Sequence, residues 1–190
     1  MTSAMLLQPE DLLAGHTAVV FDCRFSLADP GAGRASYQQG HIPGAYYLDL
    51  NRDLAGPVGE FGGRHPLPDP AVFAATLASY GVGPRTEVIA YDDHRLAFAA
   101  RLWWLMRSLG YRPPRLLNGG YQAFLASGGE ADTAVPEAAP CAVTAAAADF
   151  SGYCDIEGLR AAQAAGALLV DSREERRYQG LEEPIDPVSY

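Results

Sequence analysis

The sequence predicts an α/β domain with a mainly parallel sheet, and three observations carry that prediction. Apolar runs at residues 18–22, 46–50, 88–91 and 115–117 have strand length, helical patterns fill the intervals, and clusters of Gly and Pro separate the elements. Between the second and third strand runs, Pro70 opens a helix whose Val72, Phe73 and Leu77 fall on one face. Gly81, Gly83 and Pro84 stop that helix before the next strand. Residues 97–109 carry the strongest helical pattern: Phe98, Leu102, Leu105, Met106 and Leu109 build one broad apolar face, which predicts a core helix. Asn118, Gly119 and Gly120 then make a tight turn, and Tyr121 begins a last short helix.

A chain of 190 residues, 48% of them hydrophobic, can close a core and have residues left over for part of another. Its 14 basic and 23 acidic side chains give a formal charge of -9, so neither nucleic acid nor an anionic membrane is an expected partner. Residues 1–18 lack the basic start and long apolar run of a signal peptide, and cytoplasmic residence is expected. No stretch approaches the roughly 18 apolar residues of a membrane span. Cys23, Cys141 and Cys154 are scattered, without the close pairing of a zinc site or redox dithiol, and are expected as free thiols.

From residue 128 to 148 the composition turns to Ala, Pro, Gly and acidic residues with no aromatic side chain, which reads as an interdomain linker. After it the opening of the chain returns. Residues 155–166 repeat the helix-then-glycine pattern of 9–15. Leu168, Leu169, Val170, Asp171, Ser172 and Arg173 parallel Val19, Val20, Phe21, Asp22, Cys23 and Arg24, so that in both copies an apolar strand ends in Asp-x-Arg. Arg34, Tyr37 and Gly40 find a looser echo in Arg177, Tyr178 and Gly180. The predicted organisation is a module at 1–127, a linker at 128–148 and the beginning of a second module at 149–190. Half a sheet cannot close a core, so the last residues are expected to lean on the first module or to be loosely held.

Several strings in one order resemble the rhodanese family, and in particular the first half of its tandem sulfurtransferases, the thiosulfate and 3-mercaptopyruvate types. They are Gly40, His41, Ile42, Pro43, Gly44 and Ala45, then Gly62 to Pro68, then 88–92, 99–104, and finally Gly119 with Gly120. Glu183, Pro184, Ile185, Asp186 and Pro187 are similar to the run preceding the second module's own His-x-Pro-Gly signature. Asn118 and Tyr121 depart from the family, which more often has an acidic residue and a Trp there. The resemblance implies a rhodanese-like open parallel sheet flanked by helices, with an incomplete second copy. It also implies sulfane sulfur transfer from a small anionic donor to a thiol or cyanide acceptor, with no cofactor and no metal.

That reaction needs a thiolate at the end of a central strand, where backbone N–H groups and a helix start lower its pKa. The position is held by Asp92. The loop Asp92, Asp93, His94, Arg95, Leu96, Ala97 is therefore expected to be degenerate, with a permanent carboxylate accepting the N–H bonds meant for sulfur. Cys23 reads as structural, Cys141 lies in the linker, and Cys154 stands in the wrong place of the repeat, so this chain is expected to be inactive alone. Its nucleophile is expected beyond Tyr190, in the remaining part of the second module. Arg177 matches the family's arginine that reaches toward the donor's anionic end, and His65, beside Arg64, matches a segment lining the inter-module cleft. Asp22 with Arg24, and Asp171 with Arg173, read as structural ion pairs, and His41 as a brace for its loop. The alternative reading is an inactive pseudo-rhodanese module that binds a partner protein. A phosphoaspartate hydrolase site would need Asp-x-Asp spacing, which Asp92 and Asp93 do not supply.

Overall fold

The computed structural model describes residues 5–60, 63–143 and 149–184. Five strands, β1 (Leu6–Leu7), β2 (Val19–Asp22), β3 (Tyr46–Tyr47), β4 (Val88–Tyr91) and β5 (Arg115–Leu117), form one sheet in the order β1-β5-β4-β2-β3. Every pairing is parallel, so a crossover must separate each strand from the next. The helices α1 (Pro9–Leu13), α2 (Ala32–Gln39), α3 (Pro70–Ser79), α4 (Ala99–Ser108) and α5 (Gly120–Ala126) lie in those crossovers and after β5.

Successive strand residues feed two different cores, because side chains alternate across a sheet. Phe21, Ala90 and Leu116 pack with Phe73 and Leu77 of α3 and with Leu102, Leu105 and Met106 of α4. Val20, Ile89, Tyr91 and Leu117 pack with Leu12 of α1 and with Tyr121 and Phe124 of α5. β4 is buried at every position, as a strand covered on both faces must be.

The element boundaries have local causes. Asp69 caps α3, its carboxylate accepting from Ala71 N (2.8 Å) and Val72 N (3.0 Å), and Pro70 supplies the first turn. The buried face of α3 is narrower than its pattern suggests, since Val72 is 63% exposed while Phe73 and Leu77 are buried. The run 46–50 contributes only Tyr46 and Tyr47 to the ladder. After Leu48 N donates to Asp22 O, the Asp49 carboxylate takes the N–H groups of Asn51 and Arg52 and turns the chain. α4 begins at Ala99 rather than 97, because the chain before it has left-handed geometry at Arg95 and Leu96.

The chain divides into two compact units, residues 1–151 and 152–190. Segment 128–148, expected as a linker, is held along the first unit where it is described. His41 and Asp132 form a two-way backbone bridge, Tyr46 donates from its hydroxyl to Glu137 O, and Cys141 N donates to Ala78 O. Phe150 then enters the α3/α4 core, its ring 5.9 Å from that of Trp104, and Ser151 N donates to Ser108 O.

The second unit holds α6 (Ile156–Ala164), capped by Asp155 through Gly158 N, and α7 (Glu175–Tyr178). The strand expected at 168–171 is not formed: Leu168 is 87% exposed and Val170 76%, and a strand needs a ladder partner to satisfy its backbone. Gly62, Ile185, Asp186 and Pro187 lie outside the described residues.

Candidate functional site

β4 delivers Asp92 to the carboxyl edge of the sheet, where its side chain is buried in a ring of backbone donors. His94 N (2.7 Å) and Leu96 N (2.9 Å) donate to Oδ1, and Phe98 N and Ala99 N (both 2.9 Å) donate to Oδ2. The second pair belongs to the first turn of α4, so the carboxylate also sits at the positive end of that helix. Closing the ring forces Arg95 to φ 55° and Leu96 to φ 68°, positions that cost non-glycine residues of order 1–3 kcal/mol each. Four hydrogen bonds to one anion offset that strain. Below the loop, a Cβ on Gly120 would lie 1.8 Å from the Asp92 carbonyl oxygen, so only glycine lets the chain pass there. The remaining space is a cavity of about 210 Å³ lined by Asp92, Asp93, Arg95, Leu96, Gly119 and Gly120, among others. His94 turns its ring edge-on to Phe98, and Ala97 N donates to His94 O. The arrangement holds an anion and offers no nucleophilic sulfur at that point.

A buried ion pair supports the loop from the neighbouring strand. Arg24 forks onto Asp22 with Nε (2.9 Å) and Nη2 (2.6 Å) on Oδ2, donates to Gly40 O, and lies 4.2 Å from the centroid of the Tyr121 ring. Tyr91 donates its hydroxyl to Asp22 Oδ2 (2.9 Å) and accepts from Ile42 N. Burial pushes the Asp22 carboxyl above its ordinary 3.8, and the bonds from Arg24 pull against that rise. Arg24 Nη1 stands 3.9 Å from Asp93, tying the pair to the loop. His41 braces its turn as expected, with Nδ1 on Tyr37 O and Nε2 on Ala134 O.

The remaining named residues are elsewhere. Cys23 is 1% exposed, and burial, followed by the charges of Asp22, Asp92 and Asp53, pushes its thiol well above 9.0. Its side chain packs in the core with Phe21, Phe25 and Leu48. Cys141 and Cys154 are exposed. His65, in the first unit, sets Nε2 3.0 Å from Asn51 Oδ1, and its carbonyl and that of Pro66 accept from Arg101 Nη2. Arg177, in the second unit, forks onto Glu183 at 2.9–3.2 Å. Asp171 and Arg173 repeat the Asp22–Arg24 fork nearly atom for atom, with Nη2 2.7 Å from Oδ2. Tyr91 is a site-building residue that sequence reasoning missed, and Gly120, read from the sequence as a turn residue, also closes the base of the Asp92 loop. The position of Tyr91, immediately before Asp92 at the strand end, is the signal that pointed to it.

Comparison with known proteins gives a consistent result. The model of the rhodanese-like domain matches residues 8–127. A probable 3-mercaptopyruvate sulfurtransferase of Pseudomonas aeruginosa is 41% identical over 100% of this chain and 68% of its own length. A putative thiosulfate sulfurtransferase of Mycobacterium tuberculosis is 34% identical, over 93% of this chain and 62% of its own. Among solved structures, 3-mercaptopyruvate sulfurtransferase from Leishmania major superposes with a TM-score of 0.79 at 27% identity, covering 94% of this chain and 49% of that one. The chain thus spans between about half and two thirds of the length of these relatives.

Proposed function

Since this chain belongs to the rhodanese family, we propose that it serves a sulfurtransferase that moves sulfane sulfur from thiosulfate or 3-mercaptopyruvate to a thiophilic acceptor such as cyanide or a thiol, and that it forms the non-catalytic part of that enzyme. The observation that carries the proposal is the Asp92 carboxylate inside its ring of four N–H donors. Sulfur transfer needs a thiolate that attacks the donor's transferable sulfur as that sulfur's bond to sulfite, or to the pyruvate carbon, breaks and the sulfite or pyruvate enolate leaves with the electron pair. The thiolate holds the sulfur as a persulfide until the acceptor attacks it and the thiolate departs. A carboxylate in that seat cannot form a persulfide, and it fills the space and the hydrogen bonds that a persulfide would use. Cys23 does not replace it, because a buried thiol pushed upward in pKa is neither ionised nor reachable.

In this reading the residues from 1 to 127 are a silent rhodanese module, 149–190 opens a second module, and 128–148 joins the two. The later elements of the second module supply the nucleophilic cysteine. Arg177 then binds the anionic end of the donor, its guanidinium fork exchanging Glu183 for sulfonate or carboxylate oxygens. His65 is the substrate-binding residue that this reading assigns to the first module. The relatives' names and their longer chains favour this reading over a stand-alone partner-binding module. The setting is cytoplasmic.

The test is a thiosulfate-to-cyanide assay on purified residues 1–190, with 3-mercaptopyruvate as a second donor. The expected rate equals the background without protein. A rate above background that vanishes in Cys23→Ser or Cys154→Ser would refute the assignment of Asp92 to the nucleophile's seat.

A further inference from the structure

A second cavity, of about 230 Å³, opens between α2, β3 and the segment around Pro136, and none of its lining residues belongs to the Asp92 loop. Its walls are tyrosine rings. Three of the hydroxyls are turned away into backbone bonds: Tyr37 donates to Ala45 O, Tyr46 to Glu137 O and Tyr47 to Arg24 O. The rings themselves, with Val135 and Pro136 opposite, therefore present apolar surface to the space.

Besides the exposed Gln38 amide, two polar groups of the lining make no hydrogen bond or ion pair among the described residues. The Arg34 guanidinium lies 4.8 Å from the centroid of the Tyr47 ring, half-buried, and makes no ion pair or hydrogen bond among the described residues. The Tyr80 hydroxyl has no hydrogen-bond partner among the described residues, although its ring is fixed by Phe21 and Tyr46 at 5.4 and 5.0 Å. Burial, and then Asp53, push the Tyr80 phenol upward against Arg52 and Arg34, so it keeps its proton at neutral pH and acts as a donor. Arg52, the other cation of the lining, is occupied by Asp53 at 2.8 Å. The site thus offers one uncompensated positive charge and one hydroxyl donor against apolar ring walls.

We infer that this cavity is a binding site for a small aromatic carboxylate, its ring against the tyrosine rings and its carboxylate on Arg34 and the Tyr80 hydroxyl. The size agrees: an apolar cavity of about 150 Å³ admits benzene, and drug-sized ligands need about 300 Å³ or more, so the space suits one ring with one acidic group. The chemistry agrees as well, since guanidinium and phenol together donate to both oxygens of a carboxylate. The absence of a second unengaged cation among the described lining residues favours a single negative charge over a phosphate.

Benzoate is the probe, titrated into the 190-residue chain and followed by NMR. The expected result is saturable one-to-one binding that shifts the ring signals of Tyr46 and Tyr80. Arg34→Gln should weaken it at least about tenfold, about 1.4 kcal/mol, with little change in the melting temperature of the free protein, because among the described residues Arg34 loses only its contact with the Tyr47 ring. Tyr80→Phe should weaken it severalfold, and on the unaltered chain benzyl alcohol should bind at least about tenfold more weakly than benzoate. No saturable binding of benzoate, equal affinity for benzyl alcohol, undiminished binding in Arg34→Gln, or shifts confined to residues 119–122 would each overturn the inference.

Discussion

Replacing Asp92 by Asn removes the charge and one of the two acceptor oxygens while preserving shape, and its cost follows from the geometry of the ring. Bonds to a charged acceptor contribute about 1.5–3 kcal/mol each. An amide can satisfy one pair of donors with its oxygen, and its NH2 group then confronts the other pair. The oxygen will favour the fully buried bonds to Phe98 and Ala99, leaving the half-buried N–H groups of His94 and Leu96 to water. Two charge-assisted bonds are then lost, of order 3–6 kcal/mol, and hydration of the freed donors returns part of it. The expected net loss is about 2–4 kcal/mol, a large share of the roughly 5–15 kcal/mol that holds a domain together. Urea unfolding followed by tryptophan fluorescence measures it, with Asp93→Asn as the control. Asp93 is partly exposed and stands 3.9 Å from Arg24, so its loss should cost under about 1 kcal/mol. If Asp92→Asn unfolds within about 0.5 kcal/mol of the parent chain, or if the two variants are equally affected, the ring of donors does not hold the loop.

Other expectations concern the supports of the site. Ellman's reagent should titrate Cys141 and Cys154 in the native chain and reach Cys23 only after denaturation, because that thiol is buried and pushed upward in pKa; rapid labelling of all three would contradict this. Arg24→Ala strands the Asp22 carboxylate and should cost about 3–5 kcal/mol in equilibrium unfolding, whereas Arg173→Ala, at the exposed copy of the same fork, should leave the midpoint almost unmoved. Gly120→Ala places a methyl group against the Asp92 carbonyl at a backbone angle of +62°, and should destabilise the chain by more than about 2 kcal/mol or abolish soluble expression. Asp132 is held below its ordinary 3.8 by the N–H groups of Ala134 and Thr133. Its stabilising contribution is therefore complete above pH 3.8 and disappears as pH falls through the lower native value, so the amides of 132–134 should lose protection from hydrogen exchange in acid. Asp132→Asn should abolish that acid-dependent change.

Much of the fold could be read from residue patterns because burial left strong marks. β4 is apolar throughout and closed by Asp92, and α4 shows an unbroken apolar face, so both were legible to within a residue or two. β1 was not, since a run as short as Met5, Leu6 and Leu7 before Gln8 carries no periodicity, and Leu6 and Leu7 become a strand only by pairing with β5. The run at 168–171 shows the converse: its residues match β2, yet without ladder partners they form no strand. At the candidate site, Asp92 was found from its place at a strand end. The left-handed turns of Arg95 and Leu96 were hidden, because non-glycine residues reach that region only when surrounding bonds impose it. The contacts of 128–143 were hidden for another reason. They run through backbone groups, which Ala, Pro and Gly supply as readily as any residue.

The path of that segment bears on how the chain can be cut. Similarity to the domain model ends at residue 127, but a fragment trimmed there would uncover the His41 amide, strip the acceptor from the Tyr46 hydroxyl and expose the side of α4 that Phe150 covers. Burying one such ring contributes on the order of 1.5–3 kcal/mol. The shortest piece that carries its own wrapping ends at Ser151, so excision at the edge of the recognisable sequence would remove part of what keeps the recognisable fold closed.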